Sequence, residues 1–151
     1  MDTKTYWNNF RSQHPEVTTN EHDDFALGFP GDIETNDELA QLIKDGTKTA
    51  TSSALDLYAI TGEVMPKTGA YSIILNGHDQ PVCIIKEIEV KSCPLMEVSA
   101  EHAYNEGEGP RTLEHWRQVH INFFKKEYTD LGKEFHDNIP VLCEKFEVVY
   151  K

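Results

Sequence analysis

Apolar positions recur along this chain with two periods, and the changes between them outline its elements. Tyr6, Trp7 and Phe10 fall at helical spacing and the pattern stops before Pro15, which predicts a helix over residues 5–13. Residues 16–32 are polar and broken by Gly28, Pro30 and Gly31, the composition of a long loop anchored by Phe25 and Phe29. A second helix is predicted over 36–45, where Leu39, Leu42 and Ile43 share one face. Thr35-Asn36-Asp37-Glu38 has the form of a capping box, and Gly46 stands where a left-handed C-terminal cap belongs. Residues 54–60 predict a further short helix.

Strand patterns take over after Pro66 and Gly69. Residues 71–75 and 82–90 read as strands flanking the Asn76-Gly77 turn signal, with a connection longer than two residues. A short helix over 99–105 starts at Ser99, a good N-cap, and Glu106-Gly107-Glu108-Gly109-Pro110 follows as a loop. The longest helix is predicted from Thr112 to about Leu131, with Trp116, Val119, Phe123 and Tyr128 on its buried face and His120 and Phe124 alongside. Residues 141–150 alternate again: Leu142, Phe146, Val148 and Tyr150 share a face that Glu144 interrupts, which predicts a closing strand. Early helices, a group of strands, late helices and a last strand predict an α+β fold around a mostly antiparallel sheet or small barrel.

The length of 151 residues suits one domain, and 38% hydrophobic with 10% aromatic residues suits a globular one. No apolar run approaches the ~18 residues of a membrane span. The segment Met1 to Trp7 lacks the apolar core of a secretion signal, so no membrane contact and a cytoplasmic location are expected. The balance of 14 basic against 26 acidic residues, net −12, argues against tight non-specific binding to a phosphate backbone and favours a small or singly presented substrate. Cys83, Cys93 and Cys143 lack paired spacing and read as free thiols. With no CxxC and no zinc-ligand set, neither a metal nor a cofactor is expected.

Candidate chemistry centres on Gly46-Thr47-Lys48-Thr49-Ala50-Thr51-Ser52-Ser53-Ala54. A lysine partly buried there loses proton affinity, because burial disfavours its charged form. It can then take a proton from a hydroxyl or hold an anionic oxygen. Positions 48 and 51 point to opposite faces of a straight strand and converge only through a turn, bulge or bend. The plainer reading is a threonine-rich strand with a solvated lysine. His102 and Glu106 are four apart on one helical face, fit either for proton transfer or for a surface ion pair. Glu106 and Glu108 suggest a metal site, a raised carboxyl pKa, or an acidic loop that Arg111 neutralises. His115 and His120, five apart, are poorly spaced as two ligands on one helix. Trp116 reads as core, although Trp116 or Tyr104 can also wall a pocket and stack on a planar ring. There is no nucleophile elbow, P-loop or dinucleotide fingerprint.

Taken together these motifs resemble the longer bacterial branch of the ASCH domain family. The resemblance runs through Asp37-Glu38-Leu39-Ala40, the GxKxxT element at Gly46 to Thr51, Pro66-Lys67-Thr68-Gly69, and Glu106-Gly107-Glu108-Gly109. It continues through Trp116-Arg117 with His120, Phe123-Phe124, and Cys143 to Tyr150. It implies a single PUA-like domain over 1–151, a small mixed or antiparallel β-barrel with helices packed around a cleft, and residues 1–34 as an N-terminal extension. The family was proposed to bind RNA, and some members are described as ribonucleases. A shorter bacterial relative is an amidohydrolase of N4-acetylcytidine with a proposed lysine, threonine and glutamate set. By motif these match Lys48, Thr51 and Glu106. On that reading neutral Lys48 deprotonates Thr51, and Glu106 protonates the leaving amine. Ser52, Ser53, His102, Tyr104, Glu108, Arg111 and Trp116 then line the site for a nucleoside-like substrate. The alternative partner is single-stranded RNA or a modified nucleotide.

Overall fold

The computed structural model describes residues 1–151, which form two compact units. The first unit comprises residues 1–47, 68–88 and 146–151. Its first helix, α1 (Thr3–Gln13), is capped by Asp2, whose side chain accepts the Thr5 N–H at 2.7 Å. The helical spacing of Trp7 and Phe10 puts both inside. The predicted loop that follows contains a short strand, β1 (Asp23–Phe25), parallel to β3 (Tyr71–Leu75). Its three side chains are exposed, so no alternation marked it in the sequence. Helix α2 (Ile33–Lys44) starts three residues before the predicted 36, because Asp32 and not Thr35 is its N-cap, accepting the Thr35 N–H at 3.2 Å.

Strand β3 pairs antiparallel with β4 (Pro81–Pro94). Alternation along β3 sends neighbouring residues to separate cores. Ile73 and Leu75 join Trp7, Phe10, Val17 and Ile84, whereas Ile74 joins Ala40, Ile43, Cys83, Ile85 and Phe146.

The second unit comprises residues 48–67 and 89–145. Strand β2 (Ala50–Ala54) lies antiparallel to the start of β5 (Pro140–Tyr150), with Ser52 opposite Cys143 and Thr51 opposite Glu144. Around this ladder stand α3 (Leu57–Thr61), a 3-10 turn (Leu95–Glu97), α4 (Ala100–Glu106) and α5 (Leu113–Asp130). Leu57, Leu95, Phe124, Tyr128, Ile139 and Val141 form the centre of its core.

One expectation is corrected in this unit. Val119 is exposed, because the inward face of α5 steps in fours through Trp116, His120, Phe124 and Tyr128. Glu144 lies on the face of Leu142 and Phe146 as expected, and it is buried there, since β5 is buried on both sides from Val141 through Glu144.

The hydrogen-bonded strand order is β1-β3-β4-β5-β2. The class is the α+β expected, with one parallel pair in the sheet. No helix is long and apolar enough to cross a membrane.

Candidate functional site

Helix α4 has only seven residues, and its two caps fix what it presents. Ser99 Oγ accepts the His102 N–H at 3.0 Å. At the other end Gly107 takes the left-handed conformation, φ 72°, which ends the helix in one residue. Between the caps, the four-residue spacing turns His102 and Glu106 the same way, and both are buried. The chain after Lys48 is clasped to this helix by the Thr49 N–H, which donates to the Asn105 carbonyl at 2.8 Å. Lys48 therefore enters the interior beside Glu106, 58 residues away in sequence.

Glu106 is the hub of the resulting network. Its Oε1 receives Lys48 Nζ at 3.2 Å and stands 3.5 Å from His120 Nε2. Its Oε2 receives Trp116 Nε1–H and the Ser52 hydroxyl, both at 2.6 Å, and lies 3.0 Å from His102 Nε2. Ser52 Oγ is in turn 2.7 Å from His102 Nε2, so hydroxyl, imidazole and carboxylate form a closed triangle. Lys48 Nζ also reaches Glu108 Oε2 at 2.8 Å and the Glu106 carbonyl at 3.4 Å. His120 is aligned by its Nδ1 at 2.8 Å from the Trp116 carbonyl, and its ring stacks on Trp116 with centroids 4.2 Å apart.

The charges here are set by competition between burial and partners. Burial is the largest influence on Lys48 and acts to lower its pKa, but Glu106 and then Glu108 outweigh it and raise the pKa above the ordinary lysine value. Lys48 is thus held as a cation in the resting site, whereas the resemblance assigns it the part of a neutral base. Burial likewise acts to raise Glu106. Lys48 first, and then His102 and His120, overcome it and hold the carboxyl well below the usual glutamate range. Glu106 is therefore held as a carboxylate in the resting site. Burial acts to lower His120, yet the hydrogen bond and charge of Glu106 raise it.

The structure distributes the remaining sequence-predicted residues over several positions. Thr51 and Ser53 leave β2 on the face opposite Ser52, and Ser53 Oγ meets Tyr58 OH at 2.8 Å. Glu108, 34% exposed at its side chain, lies between Lys48 and solvent. Tyr104 is exposed, and the Arg111 guanidinium lies 3.7 Å from its ring centroid. Trp116 is 4% exposed, so it serves the network through its N–H and not as an open stacking surface. His115 hydrogen-bonds through its backbone to the Thr112 cap and takes no part in the network. His120 is the member that sequence reasoning left among core residues. The usable signal was its position four residues after Trp116.

A cavity of ≈ 260 Å³ lies against His102, with Cys93, Val98, Ser99 and Cys143 in its wall. Burial foremost, reinforced by neighbouring Cys93, pushes the Cys143 thiol up to about 12, so it is no thiolate nucleophile. No three His, Cys, Asp or Glu side chains are arranged to hold a metal ion. What the site offers is a fixed cation, a fixed carboxylate, and a hydroxyl that donates to that carboxylate beside an imidazole 2.7 Å away.

Comparison with known proteins agrees with this architecture. The ASCH domain family model matches residues 26–150. An ASCH domain from Lactobacillus crispatus JV V101 is 30% identical with a TM-score of 0.85, over 100% of this chain and 97% of that one. Protein EF3133 from Enterococcus faecalis V583 is 38% identical with a TM-score of 0.88, over 97% of this chain and 86% of that one. The hypothetical protein PH0355, at 17% identity and a TM-score of 0.56, shares the fold over 85% of this chain and 100% of its own. No curated protein matches. The chain belongs to the ASCH domain family.

Proposed function

We propose that this protein is a hydrolase of amide bonds, acting on an N-acylated pyrimidine nucleoside such as N4-acetylcytidine. The observation that carries the reading is the buried contact between Lys48 and Glu106, with Ser52, His102, Trp116 and His120 gathered on the same carboxylate. Lys48 and Glu106 are two of the three residues that the amidohydrolase resemblance assigns to catalysis. Thr51, the third, is the nucleophile on that reading. A buried ion pair with this many polar partners is costly to assemble and is a poor device for stability alone, which favours a chemical role.

In this reading Lys48 supplies fixed positive charge for the oxyanion that forms when the acyl carbon is attacked. Glu106 stays ionised and orients the hydroxyl and the imidazoles. His120, with its raised proton affinity, holds a proton within reach of the carboxylate. Tyr104 with Arg111 is a planar, exposed platform on the outer side of α4, turned away from His102 and Glu106.

The test is incubation with N4-acetylcytidine, following cytidine release by chromatography. Wild type releases cytidine. Glu106→Gln, checked for folding by circular dichroism, loses at least ~100-fold in kcat/KM. Absence of release at high enzyme concentration overturns the reading. The exposed Tyr104–Arg111 platform also supports a second reading, a binder of an unstacked base in RNA or of a modified nucleotide.

A further inference from the structure

Resting on the acyl-transfer reading above, we infer that Ser52 is the residue that attacks the acyl carbon, with His102 Nε2 as its proton acceptor. Two observations select Ser52 among the hydroxyls of β2. Its Oγ lies 2.7 Å from His102 Nε2 and 2.6 Å from Glu106 Oε2, within the reach a base needs. Its neighbours Thr51 and Ser53 emerge on the other face of the strand, where Ser53 is engaged with Tyr58. The cavity walled by His102 and Cys143 lies on the Ser52 side, since Cys143 faces Ser52 across the ladder. An acyl group bound there meets His102, the imidazole of the triangle.

The chemistry balances without a co-reactant other than water. At rest the Ser52 hydroxyl donates to Glu106 Oε2, and His102 Nε2 lies 3.0 Å from the same oxygen. Attack uses the His102 tautomer protonated on Nδ1, toward whose Nε2 the Ser52 hydroxyl turns. Nε2 takes that proton as Oγ forms its bond to the acyl carbon. The carbonyl π pair moves onto oxygen, toward the positive charge of Lys48. On collapse the C–N bond breaks and the departing amine takes the proton from Nε2, leaving an ester on Ser52. Water then gives a proton to Nε2 and adds to the ester carbonyl. Ser52 leaves with that proton, and the net change is amide plus water to acid plus amine. Glu106 orients Ser52 and His102 in both halves and stays ionised throughout.

The test is labelling with a biotin-tagged fluorophosphonate, a reagent that reports an activated hydroxyl without needing the natural substrate. Trypsin releases Thr49–Lys67 as one peptide, and its fragment ions separate an adduct on Thr51, Ser52 or Ser53. The expected adduct is on Ser52 in wild type. It persists in Thr51→Ala, is absent in Ser52→Ala, and forms about 100-fold more slowly in His102→Gln. An adduct on Thr51, or none on this peptide, overturns the assignment, and neither result depends on a variant folding. Turnover of N4-acetylcytidine, measured in parallel, keeps the two proposals apart. A Ser52 adduct without cytidine release sustains the serine and removes the substrate. Cytidine release with a Thr51 adduct does the reverse.

Discussion

Lys48 shows how one residue can be both a liability and a tool. It is 1% exposed, and its ammonium is held by Glu106 at 3.2 Å and Glu108 at 2.8 Å. Replacing it with methionine strands the Glu106 carboxylate, 1% exposed, without its counter-charge. Lys48→Met is therefore expected to cost ~3–5 kcal/mol in urea unfolding. Lys48→Met with Glu106→Gln is expected to lose much less than the sum of the two single changes. Additive losses would mean that the pair is not coupled.

The same pair dictates a pH dependence. Glu106 has its folded pKa depressed below the ordinary 4.5, so its contribution is fully present above about that value and is lost as pH falls through the depressed folded value. The stability difference between wild type and Glu106→Gln should therefore shrink steadily below pH 4.5. His120 and Lys48 have raised pKa values, so their contributions are present below 6.5 and 10.5 respectively and are lost as pH rises through the folded values. At this scale the family motif, and not spacing, pointed to Lys48 and Glu106 as neighbours. That Ser52 and not Thr51 meets Glu106 was not legible, because which hydroxyl faces inward depends on where β2 begins, and strand onset leaves no mark in a run of Thr, Ser and Ala.

Among the elements, α4 is the one whose ends carry the site. Gly107, at φ 72°, reverses the chain so that Glu108 returns to Lys48. A Cβ in that conformation costs ~1–2 kcal/mol, whereas asparagine tolerates it better. Gly107→Ala should lower the unfolding free energy by that amount, and Gly107→Asn by less. Equal losses would show that conformation is not what glycine supplies here. The extents of α1, α4, β3 and β5 could be read from periodicity and caps. Strand β1 could not, because a three-residue parallel strand with every side chain exposed is held by backbone bonds that composition does not report. The start of α2 was misplaced because two cap-forming residues, Asp32 and Thr35, stand three apart, and only the geometry shows which one bends the chain. The inward face of α5 was drawn one position off at Val119 because apolar residues also populate its outer side.

For the whole molecule the deciding quantity is the net charge of −12. A long phosphate backbone is bound by releasing counter-ions to free lysines and arginines. Here Lys48 is neutralised internally, Arg111 lies over Tyr104, and Arg117 donates to the Met96 carbonyl at 2.8 Å. A neutral nucleoside pays no such repulsion and needs only a platform and a few polar groups. Cytidine, the product of the proposed reaction, should therefore raise the melting temperature with the logarithm of its concentration above Kd, a concentration of about one hundred times Kd contributing ~2.7 kcal/mol of stabilisation. A fluorescent single-stranded RNA 20-mer should bind no more tightly than the ~10⁻⁴–10⁻⁶ M typical of non-specific contacts near physiological salt. Sub-micromolar RNA affinity that falls steeply between 50 and 200 mM salt, with no thermal shift from cytidine, would transfer the site from hydrolysis to RNA recognition. Where cytidine does shift the wild type, retention of that shift in Tyr104→Ala removes the exposed aromatic ring from ligand binding, whereas its loss assigns the pyrimidine to that ring.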